Sequence, residues 1–229
     1  MNSPYTVAVA DLEASEQSSF LFRVYSQLTA AIVLFVGLEI WFFQSGMATT
    51  ITRALLSVSW LVVLGGFILL SWLATMLAVP TVSRPLQYAG FVVYVVLQAI
   101  LFVPLLYLAN ESAPGVIASA AQITLGGFFL LTAVVVTTGR DFSFLRTFLV
   151  WGGIFGLAVI VGAVLFNFEL GTWFSVAMIL LAGASVLYTT SNVMRSCPRD
   201  ADVAAAIQLF AGIALMFWYV LRLMMGSRR

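Results

Sequence analysis

The chain has 229 residues, of which 62% are hydrophobic and 8% charged, with a mean hydropathy of +1.10. Ten basic residues against nine acids leave a net charge of +1, so nucleic acid is not an expected partner. No water-soluble surface can be built around a core from this composition, which excludes a soluble globular domain and makes membrane lipid the expected surroundings.

A spanning helix needs about 20 apolar residues. Runs of that length extend from Phe22 to Phe43, Leu55 to Val79, Leu86 to Ala109, Pro114 to Thr137, Ser143 to Phe166, Thr172 to Met194 and Ala201 to Met224. Backbone groups in hydrocarbon must be paired within the segment, and unbroken apolar runs lack the alternation of a barrel, so an all-α bundle of seven transmembrane helices is predicted. The expected division is a polar N-terminal tail over 1–19 and a membrane domain over 20–229. The tail holds Asp11, Glu13 and Glu16 with no basic residue ahead of the first span, so that span reads as retained rather than cleaved. Residues Met1 to Ser18 are expected to be mobile. The longest connection is expected between Gln44 and Ala54.

All ten basic residues are arginine. With the N-terminus in the cytoplasm, that side collects Arg23, Arg84, Arg140, Arg146, Arg195 and Arg199. The other side has Arg53, Arg228 and Arg229, with Arg222 at the end of the last span. The bias favours a cytoplasmic N-terminus and an external C-terminus. The last stretch, with Ala204 to Ala206 and Gly212, is the weakest span and the candidate for a re-entrant segment. Oligomeric state has no signature in the sequence.

Several chemistries are absent. Without lysine there is no Schiff-base attachment for retinal, and without histidine or lysine a serine nucleophile has no base. No Asp lies near the centre of a span, and no glycine-rich loop leads into a lysine, so no catalytic residue, cofactor site or nucleotide site is assigned. Cys197 stands alone, which excludes a disulfide framework or thiolate cage, and no metal site is expected. The chain reads as a non-enzyme.

Polar residues within the spans are the remaining candidates. Glu39 and Arg222 lie near span ends and are expected to snorkel to the interface. Gln98 is the polar residue nearest a span centre, where its amide either glues helices or lines a water-filled cavity. The run Tyr188, Thr189, Thr190, Ser191, Asn192 cannot face lipid throughout, so Thr189, Thr190 and Asn192, with Gln208 and Gly212 on the last span, are candidates for a pore or vestibule. The alternative is bonding back to their own helix carbonyls. Arg140 and Asp141 form a candidate motif in the turn between the fourth and fifth spans, where Asp141 could cap the following helix or pair with Arg140 or Arg146. Gly152, Gly153 and Gly156 suit close helix packing, as do Gly65, Gly66, Gly126 and Gly127, and Pro104 is expected to kink the third span.

The segments Phe20–Tyr25, Thr137–Leu145, Leu187–Thr190, and Leu209–Phe210 through Leu221–Leu223 resemble the Bax inhibitor-1 family, also called the transmembrane Bax inhibitor motif proteins. The resemblance covers nearly the whole chain and implies a seven-helix fold with a cytoplasmic N-terminus. It also implies a comparison with members that leak calcium, which carry two proton-sharing aspartates in the sixth and seventh spans. The matching positions here are Thr189 and Gly212, neither of which titrates or can offer calcium a carboxylate oxygen. The arginine that pairs with that dyad also lacks a counterpart, since Arg53 precedes the second span and Arg84 follows it. A bacterial branch that restrains a membrane-anchored ATP-dependent protease has uncharged residues at the dyad positions, and this chain is more similar to it. The expected function is therefore modulation of membrane proteolysis or stress survival through protein contact, in a bacterial inner membrane. A leak for calcium, protons or a small solute without pH gating is the alternative.

Overall fold

The first long helix, α1 (Ala14–Gln44), carries Phe20, Val24, Leu28, Ala31, Phe35 and Phe42 at three-, four- and seven-residue spacing, and all six are buried. The computed structural model describes residues 8–226. After α1 come α2 (Met47–Leu56), α3 (Trp60–Leu77), α4 (Arg84–Ser112), α5 (Val116–Thr138), α6 (Leu145–Phe166), α7 (Thr172–Arg195) and α8 (Asp202–Gly226). All except α2 are long and apolar enough to cross a membrane. The seven alternate in direction, so residues 8–13 and the α3–α4, α5–α6 and α7–α8 turns lie at the amino end of the bundle.

Helix α2 fills what was expected as the longest connection. At about 15 Å it is too short to span, and it lies against α4 with Ala48 and Thr52 buried one turn apart. Gly46, at φ 75°, takes the left-handed conformation that turns the chain from α1 into α2. The expected span from Leu55 shortens to Trp60–Leu77 because Ser57 and Ser59 bracket a break between two apolar runs.

Helix α8 is the centre of the molecule. It packs against α1, α4, α5 and α7, and its buried residues occupy nearly its full circumference. The stretch expected to be the weakest span is more apolar than α1, α5 or α7, its small residues let four neighbours approach, and it forms one continuous helix of 25 residues rather than a re-entrant segment.

The N-terminal segment is not a mobile tail from Ala8 onward. Val9 is fully buried within a short 3₁₀ turn (Val9–Asp11), its N–H donates to the Cys197 carbonyl at 3.1 Å, and Ala8 pairs with Pro198. Glu16 reaches Arg199 at 3.0 Å. The helix takes over from Ala14, inside the expected tail. Residues 1–7, and the Arg228–Arg229 pair, fall outside the described residues.

Close packing uses fewer glycines than expected. A Cβ at Gly152 would meet Leu181 at 2.5 Å and one at Gly156 would meet Met178 at 3.0 Å, so this Gly-x-x-x-Gly pair seats α6 on α7. Gly65, Gly66, Gly126 and Gly153 face open space instead. The tightest backbone approach is at Gly90, where a Cβ would lie 2.6 Å from the Ala74 carbonyl oxygen across α3 and α4. Helix α4 runs on through the buried Pro104.

Candidate functional site

At the amino end, the first residue of α8 organises a polar cluster. Asp202 is 1% exposed; its Oδ1 accepts from Arg84 Nη1 at 2.7 Å and its Oδ2 from Gln27 Nε2 at 2.7 Å. Gln87 supports the pair by accepting from Arg84 at 3.4 Å and donating to the Val82 carbonyl at 2.7 Å. Three helices, α1, α4 and α8, are thereby tied at one level, and the carboxylate also sits at a helix N-terminus, where negative charge is favoured. Burial, with the Asp202 charge adding to it, pushes the nearby Cys197 thiol up to about 11.

A cavity of about 1090 Å³ opens at the opposite end, between α3, α4, α6, α7 and α8. Its walls are mainly apolar. Arg222, Glu169, Asn167 and Ser112 stand near its mouth, while Gln98, halfway along α4, and Tyr94, one turn deeper, line its inner part. The Gln98 Oε1 atom is buried without a hydrogen-bond partner. Arg222 donates to the Leu170 carbonyl at 3.0 Å, which fixes the guanidinium at the mouth.

Of the candidate pore residues, Gln98 alone lines this cavity. Thr189 and Thr190 are buried in the C-terminal half of α7, which lies toward the amino end of the bundle, and the Thr190 hydroxyl has no partner. Ser191 accepts from the Phe142 N–H at 3.2 Å and donates to the Arg140 carbonyl at 3.4 Å, so part of this polar run holds the α5–α6 turn rather than water. Asn192 is half-buried, and its backbone carbonyl accepts from Ser196 and Cys197 where α7 ends. Gln208 is exposed. Gly212 is buried in the α7–α8 seam, where a Cβ would meet Ser185 Oγ at 3.1 Å and Val186 Cγ2 at 3.2 Å.

Asp141 closes a local turn. Its carboxylate accepts from the Ser143 N–H at 2.8 Å and the Ser143 hydroxyl at 3.1 Å, just ahead of α6. Neither Arg140 nor Arg146 lies within ion-pair reach of it. Arg140 and Arg195 instead line a second, smaller cavity of about 240 Å³ with Gln17 and Ala10, where Arg195 also donates to the Gly139 carbonyl.

Glu39 does not snorkel. It is 7% exposed, and both carboxylate oxygens are buried without a hydrogen-bond partner. The signal was present in the sequence: position 39 falls on the same face as Phe35 and Phe42, the core stripe of α1. Among the described residues no group of three acids, cysteines or histidines could hold a metal ion.

The model of the family described as inhibitor of apoptosis-promoting Bax1 matches residues 17–229. An uncharacterized protein of Pseudomonas aeruginosa is 31% identical over 119 residues, 52% of this chain and 53% of its own length. An uncharacterized membrane protein of Vibrio cholerae is 30% identical over 125 residues, again covering 52% and 53%. The match thus spans about half the length of these curated relatives. With seven apolar helices and a family match from the first helix to the last residue, the chain is a multi-pass integral membrane protein and belongs to the Bax inhibitor-1 family.

Proposed function

We propose that this protein is a contact-based regulator in a bacterial inner membrane, not an enzyme, and that it restrains or adjusts a membrane-anchored ATP-dependent protease from the cytoplasmic side. The observation that carries this reading is the α7–α8 seam. Thr189 and Gly212 stand where leaking members of the family have proton-sharing carboxylates, and Gly212 is closed against Ser185 and Val186. A packed, uncharged seam suits a protein that works by binding. The amino end offers a surface for it, because Arg140 and Arg195 line a small basic pocket beside the N-terminal segment. That surface suits an acidic segment of a partner. Arginine bias supports placing this end in the cytoplasm, and the bacterial relatives support the inner membrane.

Photocrosslinking from position 10, which lines the same pocket and leaves both arginines in place, tests the reading in native membranes. A crosslink to a membrane-bound ATP-dependent protease, lost in Arg140→Glu with Arg195→Glu, is the expected outcome. Absence of any protein crosslink, with normal membrane insertion, contradicts it.

A second reading, passage of a small solute or ion without pH gating, is favoured by the unpartnered Gln98 amide deep in the cavity. Flux through purified protein in liposomes separates the two.

A further inference from the structure

The large cavity has the shape and polarity of a site for one membrane lipid. Its mouth lies at the end of the bundle where α4 finishes at Ser112, and its innermost lining residue on α4 is Tyr94, eighteen residues back along that helix. At 1.5 Å per residue this is a depth of about 27 Å, from headgroup level to about one helix turn past mid-bilayer, because one leaflet of hydrocarbon is about 15 Å thick. The cavity is thus long enough for a headgroup with an extended acyl chain, and none of its lining residues lies in the first ten residues of α4, so it does not cross the whole bilayer.

Polarity follows the same division. Leu64, Leu157 and Ile160 belong to the apolar body, while the charged groups are confined to the mouth. Helices α3 and α6 flank the opening and meet each other only lightly, each packing mainly on α4 or α7 respectively, which leaves a lateral route from the bilayer. Arg222 uses one N–H on the Leu170 carbonyl, and a guanidinium has five, so donors remain for a phosphate. Glu169 shares the mouth and lies outside ion-pair distance of Arg222. One cation and one anion held apart fit a headgroup that carries both charges.

We propose that this cavity binds a phospholipid with a zwitterionic, amine-bearing headgroup, its phosphate on Arg222, its amine toward Glu169 and an acyl chain running toward Gln98. The occupant is a lipid and not a polar solute because the charged groups are confined to the mouth and the inner walls are mainly apolar, with Gln98 and Tyr94 as their polar groups.

Gly153 provides the test. It lines the cavity on α6, and a Cβ there meets nothing within 4 Å, so a large side chain can fill the space without displacing backbone. The full chain is reconstituted in nanodiscs of phosphatidylethanolamine and phosphatidylglycerol, extracted into mild detergent, and examined by native mass spectrometry. One phosphatidylethanolamine should stay bound to the wild type. Gly153→Trp and Gly153→Leu should lose it while keeping the thermal midpoint, and Arg222→Gln should weaken retention about tenfold, the loss expected for one charge-assisted hydrogen bond. Gln98→Leu should retain the lipid, because it only makes the inner end more apolar. Equal retention in wild type and Gly153→Trp overturns the proposal, as does loss of lipid in Gln98→Leu. Preference for phosphatidylglycerol overturns the headgroup assignment, and a bound polar solute or peptide in place of lipid overturns the whole.

Discussion

Arg84 Nη1 lies 2.7 Å from Asp202 Oδ1, joining the first residue of α4 to the first residue of α8 across 118 positions of sequence. Asp202 is buried and Arg84 is 44% exposed, so the two ends of the pair have different costs when cut. Removing Arg84 leaves a buried carboxylate held by Gln27 alone. Arg84→Ala should cost about 2–3 kcal/mol, below the range for a wholly buried pair because half of the guanidinium is already in water. Asp202→Asn should cost less, since the amide still accepts from Gln27. Thermal unfolding in detergent decides this, and equal losses in both variants would count against an electrostatic role.

Cys197 should react slowly with maleimide in the folded protein. Burial beside Asp202 disfavours the thiolate and raises the thiol from its ordinary value near 9.0 to about 11. At pH 8 the thiolate population, and with it the rate, should fall about 100-fold relative to the denatured chain. The folded state holds this proton more tightly, so its contribution to stability is complete below about pH 9 and is lost as pH rises toward about 11. A fast, single-phase reaction before denaturation would contradict the burial of the α7–α8 turn.

Asp141→Ala should lower stability by about 1 kcal/mol through loss of the bonds to Ser143, while Asp141→Asn should keep most of it. Melting curves of the two variants make the comparison. Equal losses would show that charge, not the turn, is what position 141 supplies.

Gly90→Ala should destabilise by about 1–3 kcal/mol, because the new methyl group meets the Ala74 carbonyl oxygen, which is backbone and cannot swing aside. Gly66→Ala, with open space around its Cβ, should be neutral or slightly stabilising through helix propensity. Reversal of this order would place the α3–α4 contact elsewhere.

Seven spans were legible because each is an unbroken apolar run, and the bilayer sets a length that few other structures share. Helix α2 was not, since its ten residues lack that length and its apolar face only shows once α4 is beside it. The central position of α8 was hidden for a related reason: Ala204 to Ala206 and Gly212 look like weak points in a span, yet their small size makes it the best helix to surround. At the site, Gln98 could be read from its place at mid-span. The Arg84–Asp202 pair could not, because both residues look like ordinary flanking charges and no periodicity links two loops 118 residues apart. Glu39 stood between: the stripe through Phe35 and Phe42 marks it as inward-facing, but proximity to a span end made the interface the simpler expectation.

The uncharged pair Thr189 and Gly212 removes the proton-sharing gate, and calcium flux through the purified protein in liposomes tests this directly. Neither residue exchanges a proton between about pH 6 and 8. The predicted result is flux close to that of empty liposomes and flat across this range. A substantial flux that changes steeply with pH would contradict it, and would assign gating to another group, with the buried Glu39 carboxylate the first to replace by glutamine.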